Sequence, residues 1–158
     1  MASTDLKLHV SYSQFCVFSS TLSQPFNDWS DRNVSQGFAW RPGSVSFRTL
    51  IEEGKHQVRL FVDENVPPLS EKCVRAFRIP FETCNGEIEI ASIADGTELE
   101  IPAGKYALQV EFCEPSKENG NPKIYIRLNM GDTDWCILKG DETIDVSGEL
   151  DLMAKPAS

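Results

Sequence analysis

Apolar residues that recur at every second position run through most of this chain, the period a half-buried β-strand imposes because successive side chains point to opposite faces. Leu6, Leu8 and Val10 alternate with Lys7, His9 and Ser11 as far as Tyr12. Val45 and Phe47 repeat the pattern within 44–50, and Val58, Leu60 and Val62 within 57–62. Phe77, Ile79 and Phe81 follow, then 86–90, 97–101, 105–112, 123–128 and a shorter run at 135–138. Turn signals separate these runs: Pro42-Gly43, Pro67-Pro68, Asn85-Gly86, Asp95-Gly96, Pro102-Ala103-Gly104 and Asn119-Gly120-Asn121-Pro122. About nine strands spaced this way predict an all-β chain, a two-layer antiparallel β-sandwich. Asn85-Gly86 and Asp95-Gly96 favour two-residue turns with positive φ, so each is expected to join neighbouring strands.

One segment, 28–37, breaks the alternation. Asp28 or Ser30 is placed to cap a helix, Asp31 suits its positive end, and Gly37 can close it in the left-handed conformation. One or two helical turns between about Trp29 and Gln36 are predicted. At 158 residues the whole chain, 1–158, reads as a single β-sandwich domain with an acidic C-terminal segment from about residue 129. Its last residues, Pro156-Ala157-Ser158, read as a frayed tail.

The net charge of -9 is unevenly distributed. Residues 1–81 hold 9 basic and 8 acidic groups, whereas residues 82–150 hold 5 basic and 15 acidic ones. Such a field repels phosphates, so direct nucleic-acid binding is not expected and a basic partner is the natural complement. No run approaches the roughly 18 apolar residues of a membrane span, and the start carries no signal-like stretch, so no membrane insertion and a cytoplasmic location are expected. Five scattered cysteines, an odd number, suit reduced thiols rather than a disulfide framework.

Catalytic chemistry finds few candidates. His9 alternates with core residues and is expected to face solvent with Lys7 and Ser11; His56 opens a strand without partners. Glu87 with Glu89, and Glu98 with Glu100, each stand two apart on a strand, as a hydrolase carboxylate pair would. The apolar residues between them must face the core, so all four glutamates are expected to point to water. Asp132-Thr133-Asp134 lacks the glycine and distal glutamate of a calcium loop, no cysteine spacing suits zinc, and no glycine-rich loop suits a phosphate. No catalytic residue, metal or cofactor is implied. Three tryptophans with polar neighbours remain: Trp29, Trp40 and Trp135, each an interface anchor or a cap on the sandwich core.

Several stretches carry a family resemblance: 11–18 (Ser-Tyr-Ser-Gln-Phe-Cys-Val-Phe), Asp28-Trp29-Ser30-Asp31, Gln36-Gly37-Phe38-Ala39 and Ser44-Val45-Ser46-Phe47. Farther on stand Ile79-Pro80-Phe81, the run 86–93 and Pro102-Ala103-Gly104-Lys105-Tyr106-Ala107-Leu108. In this order they resemble the competence protein J family, bacterial inhibitors of a DNA-entry nuclease, over roughly residues 8 to 128. The resemblance implies a non-catalytic binding protein that inhibits a nuclease. An acidic inhibitor would meet such a basic nuclease by electrostatic complementarity. The alternative is a small-molecule or carbohydrate-binding sandwich with a tryptophan-lined concave face. The candidate partner-binding residues are Asp132, Asp134, Asp141 and Glu142 with Trp135 as apolar anchor, because loops enter clefts more easily than strand faces do. Asp28, Trp29 and Asp31 form the rival patch.

Overall fold

The computed structural model describes residues 2–62, 69–115 and 120–157. In chain order the strands are β1 (Ala2–Val10), β2 (Gln14–Ser19), β3 (Asn27–Asp28), β4 (Phe38–Arg41), β5 (Ser44–Arg48), β6 (Gly54–Val62) and β7 (Cys73–Thr83). They continue with β8 (Glu87–Ala91), β9 (Gly96–Glu100), β10 (Gly104–Cys113), β11 (Lys123–Met130), β12 (Cys136–Lys139) and β13 (Lys155–Pro156). One helix, α1 (Asp31–Gln36), lies between β3 and β4. A six-stranded sheet, β1-β6-β11-β10-β7-β12, packs against a five-stranded sheet, β4-β5-β2-β8-β9, while β13 and β3 form a small ribbon. The all-β sandwich with one short helix is therefore the fold.

The core lies between the sheets. Phe15 and Phe47, from the five-stranded sheet, meet Phe77 and Phe112 from the other. Ring centroids are 5.6 Å apart for Phe47 and Phe77 and 6.2 Å apart for both Phe15 and Phe112 and Phe47 and Phe112. Val58, Leu60, Ile79, Leu108, Ile124 and Ile126 extend the same cluster, each the inward member of its alternation.

Each of the nine alternating runs has its strand. Four further strands lack that signature. β2 is buried at five consecutive positions, so its Phe-Cys-Val-Phe reads as a continuous apolar run without a period. β3, β4 and β13 are too short to show one.

Pairing departs from the antiparallel expectation at one place: β11 runs parallel to β6, with Ile126 opposite Leu60. Alternation fixes which face of a strand is buried and says nothing about its neighbour or direction. Asn85-Gly86 likewise does not join neighbours. It carries the chain from β7 in one sheet to β8 in the other. Gly86 still takes the expected positive φ, 78°, and a Cβ there would overlap the Ile101 carbonyl oxygen. Asp95-Gly96 does close the β8–β9 hairpin, but through a four-residue loop, 92–95, in which the Ser92 amide donates to the Asp95 carbonyl at 2.7 Å, and Gly96 opens β9 without the expected positive φ. The turn expected at Pro67-Pro68 falls outside the described residues, as does Asn119 at the start of another.

His9 and Lys7 face solvent, but Ser11 is buried. The chain turns there, with Tyr12 and Ser13 at φ 55° and 58°, and Ser11 bridges to Gln14. The tail is docked rather than frayed over the residues described. Lys155 and Pro156 pair with Asp28 and Asn27, and the Ala157 amide donates to the Phe26 carbonyl at 2.8 Å.

Replacing Phe47 by alanine removes the one ring that touches Phe15, Phe77 and Phe112 together. The expected cost is about 3–5 kcal/mol, seen as a lower urea midpoint with an unchanged slope.

Candidate functional site

The helix begins as its residues dictate. Ser30 is the N-cap: its hydroxyl accepts the Asn33 amide at 3.1 Å, and the Asn33 side chain accepts the Ser30 amide at 2.9 Å. Gly37 closes the helix at φ 92°, where a Cβ would stand 2.7 Å from Ile144 and 2.8 Å from Phe77. Asp28 and Asp31 are exposed on either side of the cap. Trp29 between them is half-buried, and its indole N–H donates to the Gln14 side chain at 3.3 Å. The rival patch is thus gathered at the start of α1.

The chain beyond β12 straps this helix to the sandwich. Arg32 donates to the carbonyls of Glu149 (2.8 Å), Gly148 (2.9 Å) and Asp145 (3.1 Å), and pairs with the Asp145 carboxylate at 3.4 Å. Gln36, buried, donates to the Asp151 carbonyl and accepts the Asp151 amide, both at 2.9 Å. The Ala154 amide then donates to the Trp40 carbonyl on edge strand β4 at 2.9 Å. One side chain reads backbone carbonyls of a loop, and another makes both bonds of a strand neighbour.

Trp135, just before β12, packs edge-on against Trp40 with ring centroids 5.0 Å apart. Trp40 donates its indole N–H to the Pro80 carbonyl at 2.7 Å, whereas the buried Trp135 indole nitrogen has no partner among the described residues. The two rings border an open recess of about 390 Å³ that Phe81, Tyr106, Glu82 and Asp132 also line. Asp132 and Asp134 are exposed and make no ion pair among the described residues. This loop therefore presents two unneutralised carboxylates beside an aromatic pair.

The other two loop acids separate from each other in role. Asp141 accepts from Arg75 at 2.7 and 3.2 Å and from the Thr143 amide and hydroxyl at 2.9 and 2.6 Å. Arg75, only 3% exposed, also donates to the carbonyls of Arg48 and Thr49. Partial burial pushes the Asp141 carboxyl up, but the hydrogen bonds from Thr143 and Arg75 and the Arg75 charge outweigh it and hold it below the ordinary aspartate value. Asp141 is thus a structural anchor for the strap. Glu142 beside it is exposed, on the rim of a recess shared with Arg48, Arg75 and Glu52.

A second acidic feature lies at the opposite edge of the five-stranded sheet. β8 and β9 pair so that Glu87 faces Glu100 and Glu89 faces Glu98. Like charges directly opposite cost stability. Burial and the Glu98 charge push the Glu89 carboxyl up, as that repulsion requires. The isoleucines between, Ile88 and Ile90, are buried as expected. Sequence reading places the four glutamates in water; it does not reveal that they stack into one ladder.

The histidines stand apart from these acids. His9 is exposed and 4.0 Å from Glu53. His56 is 2% exposed, with Nδ1 3.0 Å from the Gly54 carbonyl oxygen, and burial lowers its pKa. Among the described residues no group of three or more His, Cys, Asp or Glu is arranged to hold a metal ion, and no helix is long and apolar enough to cross a membrane.

The architecture is thus an all-β sandwich whose strap and loops display carboxylates and tryptophans. The family model for competence protein J (ComJ) matches residues 7–130, and the chain belongs to that family. A curated relative, the DNA-entry nuclease inhibitor of Bacillus subtilis (strain 168), is 28% identical over 109 residues, spanning 65% of this chain and 76% of that one. The crystal structure of ComJ from Bacillus subtilis, described as an inhibitor of the DNA-degrading activity of NucA, superposes with a TM-score of 0.65 at 24% identity, covering 81% of this chain and 96% of that one. A protein described as crocagin biosynthetic gene J shares the fold at a TM-score of 0.55 and 16% identity, covering 80% and 98%. The loop and strap, beyond residue 130, lie outside the matched family region.

Asp141→Asn tests the strap anchor. The folded-state pKa of Asp141 is depressed, so its contribution is present above the unfolded value of about 3.8 and is lost as pH falls through the folded value. At neutral pH the variant is expected to lose about 2 kcal/mol, less than a fully buried pair because Asp141 is partly open to water. Urea unfolding of both proteins should show a constant gap from pH 6 to 8 that closes toward pH 3.

Proposed function

We propose that this chain is a non-catalytic inhibitor of a basic, DNA-entry-type nuclease and that it acts in the cytoplasm by occupying the nuclease surface that holds DNA phosphates. Membership of the competence protein J family, with a relative named as a DNA-entry nuclease inhibitor, carries this reading. Electrostatics supports it. A surface that grips phosphates is basic, and an acidic protein approaches it faster than a neutral one does. Four of the arginines here are already paired with carboxylates, Arg32, Arg59, Arg75 and Arg127, so the acids left without a pair dominate the field. The contact we assign is the loop at Asp132, Asp134 and Trp135; Glu142 lies beyond β12, on the rim of a separate recess. Asp28, Trp29 and Asp31 are the nearest alternative on the strapped side. Trp135 offers the apolar anchor and the carboxylates the rim, the arrangement that concentrates binding energy in a few residues. The whole chain acts as one binding domain in this account.

The recess between Trp40, Trp135 and Tyr106 supports a second reading, a binder of small molecules or carbohydrates. Glu82 and Asp132 on its rim outnumber the one cation there, Lys105, and with its open mouth suit a cationic side chain of a protein partner better than a neutral sugar.

The test is DNA degradation by the basic nuclease of the same organism, with association rates measured against ionic strength. Wild type is expected to slow degradation, most strongly at low salt. Asp132→Asn with Asp134→Asn should associate on the order of 3–10-fold more slowly and with a flatter salt dependence, because rim charges act on the encounter. Glu98→Gln with Glu100→Gln should leave the rate unchanged. Wild type without effect on degradation removes the reading; an unchanged rate for the aspartate pair removes this loop; a loss confined to folded Trp29→Ala moves the site to the helix.

A further inference from the structure

The outward face of the six-stranded sheet holds a feature that neither the nuclease reading nor the fold accounts for. Outward positions of a sheet ordinarily meet water, yet Cys73, Ala76, Glu111 and Cys113 on β7 and β10 are buried there. Leu69, Tyr125 and Leu138 pack over the two cysteines and Ala76. Cys73 and Cys113 are direct cross-strand partners, at the point where a bulge shifts the register of β7 against β10. All five cysteines of the chain are free thiols. Cys136 instead stands opposite Arg78, and Cys16 bonds to Ser46.

Directly opposed residues on antiparallel strands have Cα atoms about 4.5–5.5 Å apart, inside the window of about 4.4–6.8 Å that a disulfide needs. The Cys73 thiol donates to the Arg75 carbonyl at 3.4 Å. Its facing partner Cys113 holds the Cys73 thiol below its ordinary range against burial, and the same pairing together with burial pushes the Cys113 thiol up. Lys139 is fixed nearby, its ammonium 2.6 Å from the Cys73 carbonyl oxygen. A small pocket of about 150 Å³, lined by Ser70, Lys72, Cys113, Lys123 and Tyr125, opens on the Cys113 side of the pair. Its small size suits a small hydroperoxide as the oxidant.

We propose that Cys73 and Cys113 are a redox-active dithiol that a small hydroperoxide converts into a reversible cross-strand disulfide. One sulfur, as thiolate, attacks the peroxide O–O bond and becomes a sulfenic acid; the released hydroxide takes the proton of the other thiol and leaves as water. The second sulfur, now a thiolate, forms the S–S bond and displaces hydroxide, which becomes the second water with the proton that the first thiol had given up. Two thiols and one hydrogen peroxide give one disulfide and two waters, the sulfurs oxidised and the peroxide oxygens reduced. A low-molecular-weight dithiol returns the pair by exchange and is itself oxidised to its disulfide. The bond would pin β7 to β10 two residues before Arg75, whose guanidinium anchors the strap through Asp141. It gives the inhibitor surface a covalent link to the oxidation state of its surroundings, and it stands whether or not the partner is a nuclease.

The test is mutation-free in its first arm. Fully reduced, full-length protein is treated with a small excess of hydrogen peroxide, then denatured and alkylated for intact-mass and peptide analysis. The expected result is a loss of 2 Da, three alkylated cysteines instead of five, a single peptide pair linking Cys73 to Cys113, and return to five on adding dithiothreitol. Cys84→Ser with Cys136→Ser should keep that loss, and Cys113→Ser should abolish it. Five alkylatable cysteines after peroxide, a bridge between any other pair, or irreversible addition of oxygen to Cys113 alone would overturn the proposal.

Discussion

Everything in this molecule hangs on four phenylalanine rings that interlock between two sheets. Phe15 and Phe47 reach in from one layer, Phe77 and Phe112 from the other, and none of them touches solvent. Burying four rings of this size supplies several kilocalories per mole apiece, and it commits every neighbouring strand to one inward face. The alternation of β1, β6, β10 and β11 follows from that commitment. So does the freedom of the outward positions, where the polar chemistry of the chain is found.

The edges of the sandwich are handled in two ways. On one side the C-terminal chain covers them: β12 pairs with β7, and Ala154 bonds to Trp40 on β4. On the other side β9 stays open, and its Glu98 and Glu100 stand against Glu89 and Glu87. Charge on an edge strand blocks pairing with another sheet, so this ladder has a protective role that needs no partner. The covered side has no such explanation for Asp132, Asp134 and Trp135. They sit past the family-matched region, on a segment whose own anchors are Arg75, Arg32 and Gln36. A sandwich that carries a strapped, acid-rich loop keeps the fold separate from the contact surface proposed for it.

Local chemistry was legible in the sequence and long-range pairing was not. Ser30, Asp31 and Gly37 announce the helix because capping acts over three or four residues. Nine strands show themselves by period two, whereas β2 hides because both of its faces are buried. The parallel β6–β11 pair, and the passage of Asn85-Gly86 between sheets, depend on strand order, which alternation does not encode. The glutamate ladder went unread because alternation places each pair in water separately, and only the observed β8–β9 register sets Glu89 opposite Glu98. Arg75 with Asp141 was not, because 66 residues separate them and nothing local marks either as a partner. Trp135 was singled out for its acidic neighbours, and the structure sets it against Trp40, which sequence reading treated separately.

The central claim is that the strapped side of the sandwich, with the loop at Asp132 to Trp135, is where the partner nuclease sits. Hydrogen–deuterium exchange of this protein, alone and saturated with the nuclease of its own organism, tests that most directly. The account predicts slowed exchange across the loop at 131–135 and along β12, with β8 and β9 unchanged. Protection confined to 87–100, or no change at the loop in a complex shown to form, would contradict it.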